Sequence, residues 1–431
     1  MNDLPRPLSR LRNATLPDGR AVDVAIDADR VVGVRPALDP GPARAQDDEL
    51  DLRGFLLLTA PAEPHAHLDK AFSWEPIQPP FGDLDLAISS WRQYAGTMTT
   101  QSILDRARAA ALALLRNGVT AVRSHVDLLP GPQPLRGIRA LAQLREELTG
   151  LMDVELVVLP PPDTPDAEVE AALDAGADLV GGAPHLAPDP GGQLGRLLAL
   201  AERRGVGLDL HTDENLDRPL TLTEYARKVR HRAGPTSLSA GHCVRLGTLP
   251  TADLEAAIDE ILASDLGIIA LPLTNLYLQG WQHPVSTPRG LTAVRALLDR
   301  GVRLGAGGDN VRDPFNPVGR SDPLEVASLL VMAGHLTPAE AYRATAEGAR
   351  AVLRLPAAGA QVGARAEFLA VRGTSLADVV ATASPDRYVI HAGKLVSHSE
   401  VRHQTGSLVR PPTSHPPTSH PPTGHPTASL R

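Results

Sequence analysis

The stretch QSILDRARAAALALLRNGVTAVRSHVDL, residues 101–128, carries two periodicities in succession. Apolar residues recur at three- and four-residue steps from Ile103 to Leu115, which predicts a helix with one buried face. Asn117-Gly118 then supplies a helix C-terminal signal. A short β-rich run follows and ends on His125 and Asp127. Helix, turn, strand, polar strand end: that is one repeat of a βα alternation.

Working outward, the alternation recurs through the middle of the chain. The β-rich runs are GFLLLTAPAEPHAHLD (54–69), GVTAVRSHVDL (118–128), DVELVVLPP (153–161), ADLVGGAPHL (177–186), GVGLDLHTDE (205–214), TSLSAGHCV (236–244), LGIIALPL (266–273) and GVRLGAGGDN (301–310). Helical periodicity lies between them at 101–118, 135–148, 165–176, 193–205, 254–265 and 292–301. Eight βα units over roughly 300 residues predict a (β/α)8 barrel, with a doubly wound open sheet as the rival. The flanks differ. Residues up to 58 and from 367 to 401 alternate apolar and polar positions around Asp-Gly and Ala-Gly turns, as β-hairpins do. Neither flank can bury a core alone, so the two are expected to pair into a small β-sandwich. The expected organisation is 1–58 and 356–406 for the sandwich, 59–355 for the barrel and 407–431 for a tail. The tail repeats P-P-T-[SG]-H, a composition that favours solvated polyproline II, and His415, His420 and His425 within it are read as solvent-facing.

Composition narrows the function classes. A net charge of −8 gives no reason to expect a nucleic-acid partner, the N-terminal MNDLPRPLSRLRNATLPDGR holds no apolar core of signal-peptide length, and no segment approaches the length of a membrane span. The expectation is a cytoplasmic enzyme with no membrane partner, and a homo-oligomer is compatible with it. Cys243 is the only cysteine, which excludes an intrachain disulfide and any multi-thiolate site. A metal would have to be held by His, Asp or Glu.

In a barrel the C-terminal strand ends share one mouth, and the polar residues fall there. Strand one ends at His65 and His67, strand two at His125 and Asp127, strand four at His185, strand five at His211, Asp213 and Glu214, strand six at His242 and strand eight at Asp309. His65 and His67 are two apart, so on a strand they share a face. Alone, H-x-H reads equally as loop histidines. With His211 and Asp309 it becomes three imidazoles and one carboxylate, a set suited to zinc or iron. Glu214 reads either as a proton-handling acid or as a helix N-terminal acid. His125, Asp127 and His185 read more readily as supporting residues than as direct participants. Cys243, next to His242, should face the opposite side of the strand and pack.

The motifs EPHAHLDKAF, VRSHVD, DLHTDENLD, SAGHC, TNLYLQGW and GAGGDNVRDPFNPVGRSDPLEVA occur in this order between about Glu63 and Arg350. The constellation resembles the amidohydrolase superfamily, in its cytosine deaminase-like branch. The resemblance implies a metal-bearing (β/α)8 barrel with a small sandwich built from both chain ends. It makes His65, His67, His211 and Asp309 the ligands of one divalent ion, zinc or iron. Glu214 becomes the proton shuttle, His242 the residue that orients the attacking water, and Asp309 the base as well as a ligand. The implied reaction is hydrolytic deamination of a nitrogen heterocycle by a metal-bound hydroxide, since a bound cation lowers the pKa of its water towards about 7. Asn310 and Phe315 stand where the family has a second aspartate and a tryptophan, and are the expected substrate-binding residues. Pro161 stands where cytosine deaminases carry a glutamine that reads the ring edge. A site without that group should select a different ring, such as a pterin, a triazine or a modified pyrimidine.

Two alternatives remain open. A cyclic-amide hydrolase of the hydantoinase or dihydroorotase kind would use the same barrel, but the only lysines are Lys70, Lys228 and Lys394, and none ends strand three or four to bridge two metals. A binding protein without turnover would be expected to lack Glu214 or a ligand, and all are present.

Overall fold

The computed structural model describes residues 4–37, 47–231, 237–402 and 404–406. The Pro/His repeat, with His415, His420 and His425, lies outside the described residues. The chain divides into two units, Met1–Glu400 and Val401–Arg431; the described residues of the second form no helix or strand.

Eight parallel strands make the barrel in chain order: Ala62–Ala66, Ala121–Asp127, Asp153–Leu159, Leu179–Gly182, Leu208–Thr212, Leu238–His242, Gly267–Ala270 and Leu304–Ala306. A parallel bridge between Ala66 and Asp309 brings the end of the eighth strand back to the first. The opening stretch folds as its periodicities predict. Thr99 caps the helix Thr100–Arg116 by accepting from the Ser102 amide, and Gly118 leaves it at φ +108°. Ile103, Leu104, Leu114 and Leu115 on its inner face are buried. At about 1.5–3 kcal/mol for each such side chain, against about 1 kcal/mol for the cap, packing of that face dominates the helix's stability.

The flanks join in one nine-stranded sheet. Strands Arg10–Thr15, Ala21–Asp27, Arg30–Pro36 and Phe55–Thr59 from the N-terminal side meet Phe368–Arg372, Arg387–His391 and Lys394–Ser399 from the other end. The run at 54–69 is therefore two strands rather than one. Phe55–Thr59 pairs antiparallel with Phe368–Arg372, and only after Ala60-Pro61 does the barrel strand begin. The run reads as continuously apolar because both of its faces are buried. Leu56 and Leu58 enter the barrel's apolar cluster, while Phe55 and Leu57 enter that of the flanking sheet. No helix among the described residues is long and apolar enough to cross a membrane.

Candidate metal centre and heterocycle cavity

The strand ends carry their side chains to one point. The Nε2 atoms of His65 and His67 lie 3.2 and 3.0 Å from that of His211. Asp309 Oδ1 stands 3.4 Å from His67 Nε2 and 3.9 Å from His65 Nε2, and Asp309 Oδ2 stands 3.9 Å from His242 Nε2. All five side chains are buried. Burial, followed by the charges of neighbouring histidines and Lys70, pushes His65, His67 and His211 well below the ordinary imidazole range, so all three are neutral. Among the described residues, neither oxygen of Asp309 has a donor in full hydrogen-bond geometry, although the Thr274 hydroxyl is near enough to favour its ionised form. Three converging neutral imidazoles and an unpartnered buried carboxylate are costly by themselves and fit a divalent cation. His65, His67 and His211, and also His65, His242 and Asp309, are close enough to share one.

The backbone is bent to make this possible. Asp213, His242, Cys243 and Asp309 all take left-handed conformations, with φ between +48° and +66°. Such conformations persist only where the surroundings enforce them. Asp213 is held by the amides of Thr221 and Leu222 and by the Thr221 hydroxyl, which turns the chain so that Glu214 faces inward. Gly241 is required by packing, because a Cβ there would lie 2.8 Å from the His65 ring. Cys243 is buried in the apolar cluster, as packing predicts, but it lies beyond the strand end and its left-handed backbone, not strand alternation, sets its direction.

Glu214 Oε1 lies 3.4 Å from His242 Nδ1, and burial pushes the Glu214 carboxyl up to about 8. His242 Nδ1 is 2.9 Å from Asn275 Oδ1. With the amide oxygen accepting, Nδ1 carries the proton and Nε2 keeps its lone pair towards Asp309. Burial lowers His242 to about 4.

The remaining predicted residues occupy a layer around these. His125 stacks on His65 with ring centroids 4.0 Å apart, and its Nε2 is 3.8 Å from Asp209, which Arg123 holds at 2.7 Å. His185 Nδ1 lies 3.2 Å from the His211 carbonyl oxygen, and burial lowers it to about 3. Asn310 lines the cavity, but its amide already donates to Asp313 at 2.8 Å. Phe315 lines the cavity as well, and Pro161 forms part of an apolar wall with Pro160 and Pro162. The cavity has a volume of about 970 Å³, at the upper end for small-molecule sites.

Sequence reading missed two contributors. Lys70, three residues past His67, packs its Nζ 3.1 Å from His67 Nδ1 and 3.0 Å from Asp127 Oδ1, with the Phe315 and Trp91 rings 5.2 and 5.6 Å away. Burial works against its charge, but Asp127 and Asp69 more than offset this and its pKa is raised. Trp91, on the unforeseen helix Leu84–Ala95, donates to Asp127 at 2.6 Å and closes that wall. The signal for Lys70 was its place in the H-x-H-x-x-K motif. Removing the charge by Lys70→Met should destabilise the protein more than the double change with Asp127→Asn, because the single variant strands a largely buried carboxylate. Thermal melts of the two should differ; equal midpoints would mean the pair is not coupled.

This chain resembles known proteins over most of its length. The amidohydrolase family profile matches residues 87–397. A pterin deaminase of Rhizobium rhizogenes strain K84 is 29% identical, covering 90% of this chain and 94% of its own. An N-isopropylammelide isopropyl amidohydrolase of Pseudomonas sp. strain ADP is 24% identical over 91% of this chain and 97% of its own. Among solved structures, a 5-methylcytosine deaminase from Klebsiella pneumoniae liganded with phosphonocytosine superposes with a TM-score of 0.84 at 25% identity, covering 92% of this chain and all of the other. With a family match across most of the barrel and the flanking sheet's C-terminal strands, this chain belongs to the amidohydrolase family.

Proposed function

We propose that this protein is a metal-dependent deaminase of an aminated nitrogen heterocycle, of the pterin, triazine or substituted pyrimidine class. The observation that carries the reading is the convergence of His65, His67, His211 and Asp309 beside a Glu214 that keeps its proton at neutral pH. Those four residues would hold one zinc or iron ion, which when bound supplies a Lewis acid that acidifies a water at neutral pH.

The chain's own residues do the rest. Asp309 has a free oxygen to accept a proton from the attacking water, and the lone pair of His242 Nε2 orients that water from the other side. Water oxygen adds to the carbon bearing the amino group, and Glu214 donates its proton to the adjacent ring nitrogen. The proton taken by Asp309 then passes to the amine, the carbon–nitrogen bond breaks and ammonia leaves, while the remaining hydroxyl proton returns to Glu214 and an oxo ring is left. Relatives named for pterin and 5-methylcytosine deamination support the same reaction class here. The cavity's volume and the proline wall favour a two-ring or substituted substrate over bare cytosine.

A panel of aminated pyrimidines, purines, pterins and triazines, assayed for ammonia release, tests this. Turnover is expected on a pterin or a substituted single ring, with cytosine poor. Ring opening of a cyclic amide without ammonia would sink the proposal and favour the hydantoinase-like alternative.

A further inference from the structure

Where the barrel closes, backbone amides converge on one buried carboxylate. Glu63 sits in the first strand, two residues before His65. Its Oε1 accepts from the His65 amide at 3.2 Å, and its Oε2 from the Gly308 amide, 245 positions away, at 2.8 Å. The Asp309 amide interacts with the same carboxylate. At the level of the ligands the seam is thin: among the described residues, the first and eighth strand ends share the bridge Ala66–Asp309 and one long contact, 3.4 Å, from the His67 amide to the Asp309 carbonyl, and shorter backbone bonds come only further on, from the Phe72 and Trp74 amides to the Val311 and Arg312 carbonyls. Gly307 is required here because Glu63 Oε1 occupies the place a Cβ would take. Asp309 itself is left-handed, at φ +60°.

We infer that Glu63 is the positioning residue for the metal-ligand set. One carboxylate fixes the backbone of His65 and, through Gly308, that of Asp309, so ligands from opposite ends of the barrel keep a common register. A carboxylate suits the task because both of its oxygens accept. In Glu63→Gln one oxygen becomes an NH2 group, which would face an amide donor. The inference rests on the metal site proposed above, and its test separates the two.

Full-length protein as isolated is titrated with a chromophoric chelator, and zinc transfer is read for wild type, Glu63→Gln and Glu367→Gln. Glu367 is the control: it is more deeply buried than Glu63 and accepts from the Ala392 amide, with His391 Nδ1 3.1 Å away, at the flanking sheet. Zinc affinity should fall about 10–100-fold in Glu63→Gln and stay unchanged in Glu367→Gln, although both variants melt earlier. Equal losses in both, or wild-type affinity in Glu63→Gln, would overturn the inference while leaving the metal site standing. A wild-type protein that holds no metal would overturn the site itself. If Glu63→Gln does not fold, hydrogen exchange on the wild type decides: the His65 and Gly308 amides should be among the slowest in the chain, and fast exchange there overturns the inference.

Discussion

Glu214→Gln is expected to keep the bound metal and to lose turnover by ~10²–10⁴-fold, the usual worth of a positioned proton donor. The glutamine has nearly the same shape and can keep its contact with His242, but it has no transferable proton. A pH signature accompanies the loss. Burial raises the Glu214 carboxyl to about 8 in the folded chain, against 4.5 for an ordinary glutamate. Its contribution to stability is thus complete below about pH 4.5 and is lost as pH rises towards 8, where the unfolded chain gains charge that the folded chain cannot accommodate. The slope is at most about 1.4 kcal/mol per pH unit. Metal-free Glu214→Gln should therefore melt with the wild type at low pH and progressively above it from pH 5 to 8, with no further gain beyond. Unchanged turnover would remove Glu214 from its role, and parallel melting curves across that range would remove the buried proton.

The parts of this centre that lie at strand ends were legible from order along the chain. A β-rich run followed by His or Asp and then by helical periodicity marks the barrel mouth, and seven of the eight runs correspond closely to one strand each. The exception, at 54–69, shows the limit of pattern: a strand buried on both faces has no alternation to separate it from the next. Partners that are distant in sequence were harder. Nothing in EPHAHLDKAF says that Glu63 accepts from Gly308, because a backbone amide leaves no mark in composition. Lys70 pairs with Asp127 across two strands, and Trp91 reaches it from a helix preceded by WEPIQPPFGD, whose prolines and glycine hide the start of periodicity. Residues proposed to meet the ion or substrate stand at predictable positions, whereas those that hold them are defined by contacts only the fold creates.

Asp309→Asn should separate stability from function. In the chain alone, burial and then the neighbouring carboxyls of Glu214 and Asp313 push the Asp309 carboxyl well above its ordinary range, and the Thr274 hydroxyl beside it offsets this only in part. Such a group favours the folded state at low pH and penalises it as pH rises. The neutral amide escapes that penalty, so metal-free Asp309→Asn should melt at or above the wild type at pH 8. A bound cation reverses the electrostatics, because the carboxylate then offsets its charge. Loss of that ligand should weaken metal affinity by more than the about 10–100-fold that an outer partner commands. Ammonia release should fall to background with it. Chelation of the wild type should have the same effect on activity, with recovery on adding zinc or iron, while chelated Asp309→Asn should not recover. A variant that retains both metal and turnover would show that the centre does not depend on this carboxylate. One that melts below the wild type at pH 8 would show that Asp309 is held by contacts stronger than those seen, and that the site is built to stand without its ion.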